Sequence, residues 1–140
     1  MKHLKSERGQ SLVELAISIF ILVYLLAGAV EFGLAFFQYV QLRDAAQEGA
    51  LYGSMNPSDS SNIELRVRNA STSPIDLTDT SAVTVTRTII GAECEGSGIQ
   101  VTVSYNHRIF MPFIPQFIGS SIIPLNATVT DTILSPVCPP

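Results

Sequence analysis

The first quarter of the chain is one long apolar run. Residues 12–37 contain only two charged side chains, Glu14 and Glu31, and the sixteen residues between them carry no charge. A helix needs about 20 consecutive apolar residues to cross the core of a bilayer. The pattern therefore predicts one transmembrane helix whose membrane part covers about residues 12–37.

A helical pattern continues beyond this run. From residue 38 to about Tyr52, small and apolar residues recur at three- and four-residue steps, and polar residues occupy the other side. We expect residues 10–52 to form a single helix of roughly 60 Å, about twice the thickness of the bilayer core. Its amphipathic part, residues 38–52, can lie against a domain, because small residues allow a close approach. These small residues are Ala45, Ala46, Gly49 and Ala50.

Residues 53–140 predict a small α+β domain. After a turn-rich segment at 53–61, Ser61 and Glu64 match a capping box for a short helix that ends near Ala70. Three later runs, AVTVTRTII, GIQVTVSYNHRIF and IPLNATVTDTIL, alternate apolar and polar residues as half-buried antiparallel strands do, and a Gly-rich link predicts a hairpin between the first two. The predicted fold class is therefore α+β: a long N-terminal transmembrane helix packed against a small antiparallel sheet of three to four strands, plus one short helix.

Charge predicts the orientation of the helix. Residues 1–9 carry three positive charges and one negative charge, whereas the first positive residue beyond the apolar run is Arg43. The positive-inside rule keeps such a basic leader in the cytoplasm and places residues 53–140 outside. The formal net charge is −4 for the whole chain and −6 without residues 1–9, which excludes a basic nucleic-acid-binding surface.

The two cysteines, Cys94 and Cys138, both fall in the exported part. Cysteines of extracytoplasmic domains are more often paired than free, so a disulfide between them is one interpretation. Two unrelated thiols are the other, because no spacing rule supports the pair. His3 and His107 lie too far from either cysteine in sequence to indicate a metal site, and no cofactor is expected.

Glu14 is the most unusual residue of the apolar run, because a carboxylate within a bilayer is costly. If the chain is cut between Gly9 and Gln10, Glu14 becomes the fifth residue, about one helical turn from the new α-amino group. That amine would place a positive charge at the positive end of the helix dipole. Glu14 can supply the compensating anion, either to its own amine or to that of a neighbouring subunit.

This arrangement resembles the class 3 prepilin cleavage site, in which a Gly is followed after four residues by a Glu and then by an apolar helix. More specifically, the stretches RGQSLVELAISIF, EFGLAFF and DAAQEGALYG are similar to the TadE/TadG-like proteins of tight-adherence (Flp-type) pilus systems. VTVSYNHRIFMPFIP and LNATVTDT lie where such proteins carry strand segments. The resemblance therefore spans most of residues 8–133.

The resemblance implies a minor pseudopilin with a pilin-like fold, a structural or assembly component of a pilus or a related secretion apparatus and not an enzyme. It implies a single-pass protein of the cytoplasmic (inner) membrane, with the N-terminus in the cytoplasm. The implied partners are membrane lipid, other pilins or pseudopilins, the pilus assembly platform and a prepilin peptidase, with no nucleic acid and no small-molecule substrate. By this resemblance, Gly9 precedes the cut, Gln10 is the mature N-terminus and Glu14 is the fifth-position carboxylate.

Other interpretations of the N-terminus stay open. The helix could remain as an uncleaved anchor, or the run could be a secretory signal cut after Ala29, although the apolar helix continues past that cut. A second hypothesis for function is a single-pass membrane-anchored binding module, such as an adhesin or an envelope sensor, that never enters a filament. Retention of the leader and dispensability of Glu14 would favour it.

Glu31 also has two interpretations. It lies about 25 Å from Glu14 along the helix axis and hence near the outer interface, where a carboxylate can reach headgroups and water. Alternatively, Glu31 contacts a partner, helped by Ala29 and Gly33 as a small-xxx-small pair for helix packing.

No catalytic constellation is evident, because the sequence contains no GxSxG, no HExxH and no phosphate-binding loop. His107 shares a strand face with Tyr105 and Ile109, so we expect a packed or hydrogen-bonded histidine there. The apolar segment from Phe110 to Ile118 has two interpretations, a cover for the sheet edge or a docking patch.

Overall fold

The computed structural model describes residues 6–112 and 114–139, with side chains from Gly9 onward. Its first element is the helix α1, which runs unbroken from Ser6 to Met55. This helix is long and apolar enough to cross a membrane, and none of the residues in its most apolar stretch is buried within the described chain. The prediction of one long helix is confirmed, and the helix continues three residues beyond Tyr52. The basic leader predicted at residues 1–9 lies largely outside the described residues.

One face of α1 carries its contacts with the domain. The buried and half-buried positions on this face follow alternating steps of four and three residues, and we call them the seam. The seam consists of Tyr24, Gly28, Glu31, Ala35, Gln38, Leu42, Ala45 and Gly49. A repeat of 3.5 residues keeps such a stripe on one side of a long helix. The domain therefore follows α1 well into its apolar half, and not only over residues 38–52.

The second helix, α2, spans Ser60–Asn69 and packs Ile63 and Val67 against α1. Its N-cap is Asp59, whose carboxylate accepts a hydrogen bond from the backbone N–H of Asn62 at 3.2 Å. Hydrogen bonds from the side chain and the backbone of Asn62 hold the pKa of Asp59 below its usual value. The expected capping box was wrong, because the helix begins before Ser61.

Three antiparallel strands complete the domain: β1 (Val83–Ile90), β2 (Gly98–Arg108) and β3 (Ile122–Thr132). The sheet order is β1-β2-β3, and in the centre Val101 lies opposite Arg87 on one side and Val129 on the other. The first two strands form the predicted hairpin. Because side chains alternate between the faces of a strand, the odd-numbered residues of β2 point inward.

The inner face of the sheet packs on the outer half of α1. The small residues of α1 are fully buried there, so α2 and the sheet approach the helix backbone closely. The fully buried core includes Leu42, Ala45, Ala46, Ala50, Ile63, Val67, Leu77, Val83, Ile99, Val101, Val103, Ala127 and Ile133. The predicted α+β arrangement of a long helix against a small antiparallel sheet is confirmed.

A third helix, α3 (Ile114–Ile118), was not predicted and lies between β2 and β3. Pro115 stands in its first turn, where the missing N–H costs nothing. Gly119 ends it with a φ of +75°, and its N–H donates to the carbonyl of Pro115 at 2.8 Å. Because α3 has only five residues, its sequence is too short to show a helical period, and from the sequence alone it cannot be told from a loop.

The C-terminal segment is fastened to the domain by a disulfide and by backbone hydrogen bonds. The structure joins Cys94 and Cys138 by a disulfide, with their Cα atoms 4.9 Å apart. The N–H of Leu134 donates to the carbonyl of Ser54 at 2.7 Å, which ties the end of β3 to the end of α1. The outer end of the long helix is thus held by the sheet, by α2 and by the chain terminus.

The close approach at Gly49 gives a prediction for stability. A Cβ added there would lie 2.5 Å from Cγ2 of Val67, whereas one added at Gly33 meets nothing within 4 Å. We expect Gly49→Ala to lower the free energy of unfolding by about 1–3 kcal/mol relative to Gly33→Ala, because overpacking costs that much. Thermal unfolding of the two variants in detergent, followed by near-ultraviolet circular dichroism, measures the difference. Equal stability of the two variants would contradict the close packing.

Candidate membrane and assembly site

The Glu31 carboxylate is the centre of a polar cluster on the apolar half of α1. Its Oε1 lies 2.8 Å from Nε2 of His107 and 3.1 Å from the backbone nitrogen of Phe110. Its Oε2 accepts a hydrogen bond from the N–H of Met111 at 3.0 Å. One carboxylate of the long helix therefore binds the last residues of β2 and the start of the segment that follows.

His107 connects this carboxylate to a second position on the seam. While Nε2 faces Glu31, Nδ1 lies 2.6 Å from the side-chain amide of Gln38. An amide can present either its oxygen or its NH2 group, so Gln38 can complement Nδ1 in either protonation state. The predicted hydrogen-bonded histidine is confirmed, and it links two turns of α1 to β2.

The cluster is almost completely buried. Glu31 and His107 are each only 4% exposed, and every buried side-chain nitrogen and oxygen atom of the described residues has a hydrogen-bond partner. A carboxylate in an apolar environment is costly unless it is paired and hydrogen-bonded. The histidine and the two backbone N–H groups supply those partners within the chain itself.

The structure encloses the Glu31 carboxylate within its own domain, so the carboxylate does not face headgroups or water as the first interpretation expected. Contact of this helix position with a partner stays a prediction. The sequence contained a signal for this outcome. Glu31 is in helical phase with Leu42 and Ala45, through Ala35 and Gln38, which places it on the domain-facing side.

Next to the Glu31 cluster, an apolar groove lies between α1, α3 and the start of β3. It has a volume of about 510 Å³, and aromatic side chains of α1 and α3 line much of it. At its end toward the helix N-terminus, the ring of Phe117 lies 5.4 Å from the ring of Tyr24. The domain thus contacts a residue in the middle of the predicted membrane part.

The other predicted site residues lie on the open surface of α1. Ala29 and Gly33 are exposed, and a Cβ added at Gly33 would have no neighbouring atom within 4 Å. Glu14 is exposed as well, and its backbone carbonyl accepts a hydrogen bond from Ser18 Oγ at 2.9 Å. The bond between Gly9 and Gln10 lies within the helical part of the chain. These residues remain candidates for processing and helix packing.

Within residues 6–112 and 114–139, the structure brings together no group of three or more His, Cys, Asp or Glu side chains that could hold a metal ion. Glu93 and Glu95 flank Cys94 in the hairpin link, where Glu93 forms an ion pair with Arg87 at 3.2 Å. The arrangement around Glu31 is suited to joining two parts of the protein, and not to binding a cation.

Replacing the Glu31 carboxylate tests this role. A glutamine has one acceptor oxygen for three donors, so we expect Glu31→Gln to speed hydrogen exchange at the amides of Phe110 and Met111. Hydrogen bonds to a charged group contribute about 1.5–3 kcal/mol, which corresponds to roughly 10- to 100-fold in exchange rate. Glu48→Gln, at an exposed position of the same helix, is the matched control. Unchanged exchange in Glu31→Gln would show that the carboxylate does not fix the segment.

Comparison with known proteins adds one finding. Residues 9–51, which cover most of α1, match the family model of TadE-like proteins. Neither a curated protein nor a solved structure matches the chain significantly. The matched segment includes Gly9, Glu14 and Glu31, and it confirms the resemblance for the part of the sequence where it was most specific. Residues 9–51 are thus similar to TadE-like proteins, and the single long apolar helix indicates a single-pass membrane protein.

Proposed function

We propose that the protein is a TadE-like minor pseudopilin, a structural or assembly component of a tight-adherence (Flp-type) pilus or a related secretion apparatus. The observation that carries this proposal is the family match on α1, a helix whose apolar half is bare on every face except the seam. A bare apolar helix suits association with lipid and with other apolar helices. The protein would act by helix packing and protein–protein contacts, without turnover of a substrate.

The proposed location is the cytoplasmic membrane, with the basic leader inside and the α+β domain outside. The charge of residues 1–9 supports this orientation. A disulfide between Cys94 and Cys138 also fits an exported domain, because such bonds persist outside the cytoplasm. A prepilin peptidase acting at the cytoplasmic side would then cut between Gly9 and Gln10, leaving Gln10–Tyr52 as the core of the mature helix.

The contact surface for other subunits is proposed on the open side of α1. Ala29 and Gly33 offer a small-xxx-small pair that leaves room for a second helix, and Glu14 lies on the helix surface nearer the N-terminus. Glu14 would neutralise the α-amino group of a neighbouring pilin or pseudopilin at the end of its helix dipole. The assembly platform and the pilins are the proposed partners.

Processing at Gly9 is tested by the mass and the N-terminal sequence of the protein from its native membrane. We expect the wild type to begin at Gln10 and Gly9→Ala to retain residues 1–9, because the glycine precedes the proposed cut. Gly28→Ala is the matched control, since its added Cβ meets nothing within 4 Å. Retention of Met1 in the wild type would favour the membrane-anchored binding module over the pseudopilin. A start at Val30 would show that the run is a discarded signal.

The role of Glu14 is tested separately, in assembly. We expect Glu14→Gln to stay in the membrane but to be lost from the sheared pilus fraction or from complexes with the assembly platform, because the charge that matches a neighbouring amine is gone. Glu48→Gln, with the same chemical change on the water-exposed half of α1, should assemble like the wild type. Equal assembly of both variants would exclude charge matching by Glu14.

A further inference from the structure

The segment between β2 and β3 runs back along α1 toward the N-terminus of the helix. We call residues 109–112 and 114–121 the aromatic loop. Near its start, the N–H of Phe110 donates to Glu31, and near its other end the ring of Phe117 packs on the ring of Tyr24. Glu31 and Tyr24 are seven residues apart, so the loop follows the helix over about 10 Å.

The depth of this contact follows from the length of the apolar run. A helix spans the hydrocarbon core with about 20 residues, and any such stretch within residues 12–37 ends between residues 31 and 37. Tyr24 is then at least seven residues, or about 10 Å, inside the boundary on the side of the domain. Because Phe117 touches Tyr24, it lies at the same depth.

The loop has the composition of a segment that contacts lipid. From Ile109 to Ile123 the sequence contains no charged residue. Phe110 is 83% exposed and Phe117 is 79% exposed, although both are large aromatic side chains. Ile118 and Ile122 are exposed too, and Phe117 lines an apolar hollow together with Phe20, Ile21 and Leu25 of α1, so the patch continues the bare apolar surface of the helix. Exposed apolar patches of this kind mark an interaction site, and the surface with which this one is continuous already belongs to the membrane.

Several backbone N–H groups of the loop have acceptors, which matters in an apolar environment because free N–H groups are costly there. The N–H groups of Phe110 and Met111 donate to the Glu31 carboxylate, and that of Gly119 donates to a carbonyl of α3. The N–H of Ile109 donates to the carbonyl of Ser121 at 3.0 Å. Pro112 and Pro115 have no N–H to satisfy. Glu31 therefore serves as an acceptor for the loop backbone where the loop reaches the apolar half of α1.

We propose that the aromatic loop is a second membrane element, which inserts Phe110, Phe117 and Ile118 among the acyl chains of the leaflet next to the α+β domain. The loop enters beside α1 and leaves on the same side, so it does not add a second span. The inference depends on α1 crossing a membrane, and it holds whether or not the protein enters a pilus. Its consequence is that the domain is held against the bilayer at a fixed height and rotation.

A second copy of the chain is the competing occupant of this surface. The groove beside Phe117 could receive an apolar helix, and the rings that line it would then contact protein in place of lipid. Lipid is favoured because the loop and the bare surface of α1 form one continuous apolar face, which a bilayer covers at any protein concentration. A second copy would cover only the groove, and Phe110 would stay exposed.

The test uses the full chain in vesicles of phosphatidylcholine and phosphatidylglycerol. Because the sequence contains no Trp, the variants Phe117→Trp and Phe110→Trp each carry one fluorescent reporter at an exposed position. Leu65→Trp, on the exposed side of α2, is the matched control. Quenching is measured with lipids brominated at defined acyl positions and with acrylamide in the water.

We expect acyl-chain bromine to quench the reporter at Phe117 several-fold more than the reporter at Leu65, with acrylamide showing the reverse order. The reporter at Phe110 should lie closer to the headgroups than the one at Phe117, by about 10 Å, because Glu31 and Tyr24 are separated by that rise. Two results would overturn the proposal. One is quenching of Phe117→Trp by acrylamide as strong as that of the control, which places the loop in water. The other is protection from both quenchers at a high lipid-to-protein ratio, which shows a protein in the groove.

Discussion

The burial of the Glu31 carboxylate is the constraint on which the arrangement of helix and domain depends. A carboxylate on an apolar helix must find donors, and in this chain they come from His107 and from two backbone N–H groups of the aromatic loop. Removing one partner of such a cluster is costly, because the others are then buried without compensation. The domain is therefore fixed at one height along α1, and the loop is held beside the apolar half of the helix.

The seam explains how a small domain can hold so long a helix. Alternating steps of four and three residues keep one stripe of α1 facing the sheet, from Leu42 and Gly49 at the outer end down to Tyr24. Small residues permit close packing in the water-exposed half, and polar residues supply hydrogen bonds in the middle. The same helical phase thus carries three kinds of contact: apolar core, buried polar cluster and aromatic stacking.

The main elements of this fold could be predicted from the sequence, because each has a strong local pattern. The uncharged run indicated α1, period-two alternation indicated the strands, and the Gly-rich link indicated the hairpin. The Glu31–His107 contact joins residues 76 positions apart, and no local pattern records it. The helix α3 has five residues, too few for periodicity to show. The cap at Asp59 was missed because Ser61 and Glu64 match a capping box two residues later, and only backbone geometry shows where the helix begins.

The two faces of α1 divide the tasks of the helix. Glu31 lies on the seam and is enclosed by the domain, whereas Ala29 and Gly33 lie on the far side of the helix. Glu14 is in phase with Gly28 on the seam, and it is exposed because it precedes the first seam contact at Tyr24. At the depth of Tyr24, Phe117 occupies one side of α1, so the surface at Ala29 and Gly33 is the part of the helix that stays open there. A helix with one face committed to its own domain can offer only part of its circumference to other helices.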